Sequence, residues 1–142
     1  MKGLKTFARL EPPERSLVMH AVLLVAAVRA ALWIISFERL RSWVGACDRI
    51  LFWLPVSRDT PVTRLVWAVR AASRRIPAAS CLTQSVALRC LLARAGYDSR
   101  IHIGVAKDPE SGFHAHAWVD HHGRPLLSPP SEVDRYARLI SL

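Results

Sequence analysis

The sequence predicts an α+β fold, a helical N-terminal half followed by a small antiparallel sheet, and three observations carry that prediction. Up to Gly96 the apolar residues recur at helical spacing, punctuated by prolines. Beyond Gly96 the pattern changes to alternation, over Tyr97 to Val105 and again over His114 to Asp120. Gly112 and His122-Gly123 then cut that stretch into hairpin-sized pieces. Helices first and strands after is an α+β order. At 142 residues the chain is one domain, with residues 1–75 helical and residues 76–142 holding a further helix and the sheet. It has no internal repeat and no low-complexity tract.

The elements follow in order. Met1 to Leu10 is a basic tail. Pro12-Pro13 before Glu14 marks a helix start, because proline suits the first turn and an acid suits the positive end of the helix dipole. That helix, about Glu14 to Ile35, is apolar on most faces and is expected to be covered on most sides. Leu17 to Ile35 is nearly long enough to span a bilayer. His20 and Arg29 interrupt it, and a central arginine costs roughly 2.5–3.5 kcal/mol on insertion. A packed helix is therefore expected, with membrane contact through residues 17–35 the lesser alternative.

A second helix, about Phe37 to Cys47, carries Leu40, Trp43 and Val44 on one stripe, and Ile50 to Pro55 is an apolar connector. Thr60 reads as the cap, and Pro61 as the first residue, of a third helix. Its Val62, Leu65, Val66, Val69 and Ala72 keep the 3.6 period, and Pro77 ends it. Ser80 caps a fourth helix, about Cys81 to Ala95, closed by Gly96 as a left-handed cap. His122-Gly123 closes a hairpin to Arg124 to Leu127. Pro129-Pro130 breaks that strand, and Ser131-Glu132-Val133-Asp134 resembles a capping box ahead of a short terminal helix.

Composition narrows the classes. Twenty Lys+Arg against eleven Asp+Glu give a net charge of +9, which favours acidic partners. The arginines are spread between apolar helix positions, without an aromatic-basic motif, so nucleic acid is not the expected partner. Three cysteines, Cys47, Cys81 and Cys90, without paired spacing argue against a disulfide framework and fit a reducing cytoplasm. Neither a zinc-type Cys/His spacing nor a signal peptide is evident, and no cofactor or metal is expected.

Two segments point to chemistry: Ser80-Cys81-Leu82-Thr83-Gln84-Ser85 at a helix start, and His114-Ala115-His116-Ala117-Trp118-Val119 on a strand. A thiol attacks carbonyls as its thiolate, and the unpaired N–H groups of a helix start favour that anion. An imidazole nearby takes the thiol proton and returns it to the leaving amine. The helix N–H groups also serve a developing oxyanion. Cys90 lies roughly 900° further round the helix, nearly opposite Cys81, and reads as core packing. Cys47 reads as structural. His114 and His116 share one strand face, and spacing alone does not choose between them. Trp118 is expected to pack on that histidine or in the core, Gln84 to be a surface polar group, and Asp108 and Glu110 to be solvated loop acids.

Four groups of residues stand out together: Ser80-Cys81-Leu82 with Ser85, Ala87 and Leu88; Leu91-Leu92 with Gly96; Ile103-Gly104-Val105; and His116-Ala117-Trp118-Val119-Asp120 with Gly123-Arg124 and Leu126. Together they resemble the transglutaminase-like cysteine protease of lasso-peptide biosynthesis, the stand-alone leader peptidase of those pathways. The resemblance implies a transglutaminase-like or papain-like core and cleavage of a precursor's leader peptide. Its implied partners are the precursor, a winged-helix leader-recognition protein on a separate chain, and the ATP-dependent lasso cyclase. It selects His116 over His114 as the base. Relatives carry an aspartate on the following strand, at a position that falls here on or near Ser128. Asp120 is roughly 13 Å along the strand from His116, and Asp134 could fold back, so the third member is open among Ser128, Asp120 and Asp134. Two other classes stay open: a non-catalytic interaction protein with a decayed triad, and a Cys-dependent acyltransferase.

Overall fold

A computed structural model of the chain describes residues 11–46, 49, 54 and 56–142. Cys47, the basic tail and most of the apolar connector lie outside the described residues. Four helices come first: α1 (Pro12–Ile34), α2 (Phe37–Gly45), α3 (Val62–Ser73) and α4 (Cys81–Arg94). Strands β1 (Arg100–Asp108), β2 (Gly112–His121) and β3 (Arg124–Leu126) follow, then a one-turn helix α5 (Pro130–Val133) and strand β4 (Ala137–Ser141). The sheet order is β3-β2-β1-β4, and its paired strands are antiparallel. This is the expected α+β order, helices then sheet.

The helix layer packs on one face of the sheet because β1 and β2 alternate. Ile101, Ala117 and Val119 turn inward and are buried. Against them α4 sets Leu88, Leu91 and Leu92, all fully buried, each stabilising the fold by about 1.5–3 kcal/mol. From α3, Leu65, Ala68, Val69 and Ala72 close the same core at the predicted spacing.

Five expectations are corrected. Only one face of α1 is covered among the described residues: Val18, Ala21, Leu24, Val25 and Val28 are buried. Met19, Leu23, Trp33 and Ile34 stand 56%, 56%, 80% and 82% exposed. By length and composition α1 is the one described helix apolar enough to cross a membrane. In α2, Leu40 and Val44 are buried but Trp43 is half-exposed, at the edge of the stripe. Pro61 is itself the cap of α3 and Thr60 lies outside it, because an extended Pro61 already presents its carbonyl to Arg64 and Leu65. The chain does not end in a helix. After α5, whose cap is Pro129 rather than Ser131, residues Ala137–Ser141 pair with β1.

Candidate active site

Cys81 is the first residue of α4. Ser80 has extended dihedrals and its Oγ accepts the N–H of Thr83 at 3.3 Å, so the helix starts where the sequence predicts. Gln84 donates its side-chain amide to the Ala79 carbonyl at 3.1 Å, tightening the approach to the same turn. Ala78, three residues before Cys81, has φ 58°, a left-handed conformation that costs a residue with a Cβ about 1–2 kcal/mol. The Cys81 side chain is half-buried, and Cys90 is buried in the apolar core as expected.

His116 sits on β2, half-buried, with Nε2 2.8 Å from the Ser128 hydroxyl. Its Nδ1 has no hydrogen bond among the described residues. If Nε2–H donates to Ser128, the ring is held in the tautomer whose Nδ1 lone pair accepts a proton. Two aromatic rings bracket the imidazole: Trp118 stacks at 6.2 Å between centroids and Tyr136 lies at 5.1 Å. Trp118 is fully buried, so Trp118 is both core and support for the histidine.

Cys81 and His116 are not hydrogen-bonded to each other. They are tied through one residue. Ser85 is one turn from Cys81 on the same face of α4, and its Oγ donates to the Ala117 carbonyl at 3.1 Å. The pairing of β2 with β3 stops at Val119–Leu126, so Ala117 lies past the end of β3, where a helix side chain can reach its carbonyl. Both Ser85 and Ala117 are buried. One bond therefore locks the face of α4 that carries Cys81 against the strand position next to His116.

Ser128, rather than an acid, meets His116. The Asp120 carboxylate accepts the Gly123 N–H at 2.9 Å and caps the β2–β3 turn. Asp134 is exposed at the C-terminal cap of α5. The backbone around Ser128 is shaped for its position: Leu127 has φ 71°, a strained state for a branched side chain, and its carbonyl is held by Arg70 Nη2 at 3.2 Å. His114 is exposed at the hairpin tip, with Nε2 2.7 Å from Ser111 Oγ. Asp108 caps that tip through the N–H groups of Ser111 and Glu110, bonds that hold its carboxyl below the usual carboxylate range.

Sequence reasoning missed Tyr136 and gave no physical reason for Gly104. Gly104 lies opposite His116 in the β1–β2 register. A Cβ there would come 2.8 Å from the Ala137 carbonyl, 3.0 Å from Tyr136 Cβ and 3.1 Å from Trp118 Cη2. Glycine at this position lets β4 close on the sheet and brings Tyr136 over His116. The Ile103-Gly104-Val105 motif was the signal, without its reason. No local pattern marks Tyr136. Among the described residues no three His, Cys, Asp or Glu side chains are grouped to hold a metal ion.

A cysteine opening the helix that packs on an antiparallel sheet, with a histidine on the adjoining strand, defines an α+β papain-like core. Residues 14–141 match the family model described as the transglutaminase-like superfamily, and the chain belongs to that family. No curated protein and no solved structure matches the chain. The family's fold is one used by cysteine peptidases and acyltransferases.

Proposed function

We propose that this chain is a cysteine peptidase that removes the leader peptide from a lasso-peptide precursor in the cytoplasm. The observation that carries the peptidase reading is the Ser85–Ala117 bond, which sets the Cys81 face of α4 beside a histidine already oriented by Ser128. The leader-peptidase reading is supported by the motif resemblance around Cys81 and His116. A winged-helix recognition protein delivers the precursor, and the ATP-dependent cyclase takes the freed core peptide.

The chemistry runs in two balanced steps. His116 takes the Cys81 proton, and Sγ adds to the scissile carbonyl. N–H groups at the start of α4 stabilise the oxyanion. The C–N bond breaks as the imidazolium protonates the departing amine, leaving a thioester. Water then gives a proton to His116 and its hydroxide to the acyl carbon, releasing the carboxylic acid and returning the proton to sulfur. Ser128 holds the ring but supplies no charge to the imidazolium. That observation also favours a second reading, a non-catalytic member with a decayed triad.

The test is mass spectrometry of a candidate precursor incubated with the protein, with and without the recognition partner, for wild type and Cys81→Ala. Cysteine-dependent release of a leader-sized fragment is expected. Amine adducts in place of hydrolysis would make the chain an acyltransferase. No product, with iodoacetamide labelling that follows an ordinary thiol pKa near 8.5, would establish the decayed triad.

A further inference from the structure

A groove of about 620 Å³ runs beside the candidate site, between α3 and the chain from Pro125 to Pro130. Trp67, Arg70 and Arg74 form one wall, and Leu127, Ser128 and Pro129 the other. Ser128 is the residue bonded to His116, and the chain leaving Arg74 reaches Cys81 within seven residues. Through Ser128 the groove adjoins the histidine half of the candidate dyad. An extended peptide rises about 3.3 Å per residue, so its occupant sits a few residues from the bond being cut.

The chemistry of the walls selects that occupant. No carboxylate lines the groove. Arg70 is engaged with the Leu127 carbonyl. Arg74 is exposed at the C-terminal cap of α3, and its side chain makes no hydrogen bond or ion pair among the described residues. Trp67, 39% exposed, offers an apolar face about two helical turns before it. A guanidinium presents a planar fork that matches a carboxylate and repels a basic side chain. We propose that this groove binds an aspartate or glutamate side chain of the peptide substrate, with Arg74 as its cation and Trp67 as its apolar wall. This assignment rests on the peptidase reading, and it makes Arg74 a specificity residue rather than a catalytic one. The net charge of +9 adds long-range attraction for the same acidic segment.

The experiment uses synthetic fluorescein-labelled peptides, identical except for Asp, Asn or Lys placed at each position in turn. Binding to the full-length Cys81→Ala protein is read by anisotropy, and cleavage by wild type is read by mass spectrometry. At one position Asp should bind about fivefold tighter than Asn, the size of a partly screened ion pair. Arg74→Gln should erase the difference, Arg74→Glu should turn it into a preference for Lys, and added salt should shrink it. Far-UV circular dichroism of both variants checks that the exposed substitution leaves the helices intact. Equal binding of Asp and Asn at every position, or an Asp preference that survives Arg74→Glu, overturns the proposal. Cleavage without any acid preference would overturn the groove and leave the peptidase standing. Arg74-dependent binding without cleavage, with the recognition partner also supplied, would keep the groove and overturn the peptidase.

Discussion

Helix α4 carries two cysteines, and they lead different lives. Cys81, at its first residue, is half-buried beside a strained loop, a serine cap and a histidine-bearing strand. Cys90, in the middle of the same helix, is buried in an apolar wall with Leu24, Val28, Leu40, Val44 and Val86, beside a cavity of about 110 Å³. The residue type is the same and the secondary structure is the same. What differs is the backbone: the first N–H groups of a helix have no partner within it, whereas those around residue 90 are spent on the helix. One location leaves backbone donors beside the sulfur, and the other packs its sulfur into the core.

The largest expected break in that comparison is Cys81→Ala, which should lower cleavage by at least about a thousandfold while leaving the melting temperature nearly unchanged. Cys90→Ala should do the reverse, sparing cleavage and costing stability; mass spectrometry and urea melts on both variants decide it. Next in size, Leu88→Ala in the buried middle of α4 should cost about 2–5 kcal/mol by urea unfolding, because it empties a fully buried site.

Gly104→Ala should cost about 1–3 kcal/mol, since the new methyl meets the Ala137 carbonyl, and it should also depress cleavage by moving Tyr136 off His116. A loss of stability without a loss of rate would show that Tyr136 does not position the base. Ser128→Ala should reduce kcat/KM about tenfold by freeing the His116 ring. Ser128→Asp should restore or exceed wild-type rate, by adding the charge that supports an imidazolium; a further loss would show the site is built around a hydroxyl.

The smallest effect concerns His102, whose Nδ1 lies 2.7 Å from Ser141 Oγ and whose ring faces Trp118. Burial, then the Arg138 charge, hold its pKa below 6.5, with Arg100 adding to this and Asp120 opposing it. The folded protein therefore binds fewer protons at this site than the unfolded chain. Stability is kept above pH 6.5 and declines as pH falls from 6.5 toward the lower folded value. Urea melts across that range should show the decline, and His102→Gln should flatten it.

Much of this was legible in the chain. The cap at Ser80, the start at Cys81 and the left-handed Gly96 (φ 84°) are local events, set by residues within one turn of each other. The hairpin at His122-Gly123 is another, with both residues at positive φ, as a tight two-residue turn requires. Strand β4 was not legible. All five of its residues are exposed, so Leu139 and Ile140 give no inward alternation, and only backbone bonds to β1 make it a strand. The covering of α1 was overestimated for a related reason: an all-round apolar helix does not say how much of the fold will lie against it.

The hydrogen-bond partner of His116 shows the same division. Sequence alone left Ser128, Asp120 and Asp134 together, because each is within reach of a chain whose turns are not yet placed. The fold separated them by spending Asp120 on the Gly123 amide, leaving Asp134 exposed on α5, and bending Leu127 so that Ser128 meets the ring. By itself the sequence determined what neighbouring residues can settle: helix ends, the tight turn at Gly123, and the apolar spacing of α3 and α4. The tertiary structure decided what requires distant backbone to meet. Ser85 reaching Ala117, Arg70 clamping Leu127 and Tyr136 crossing Gly104 all join segments whose separation along the chain carries no periodic signal.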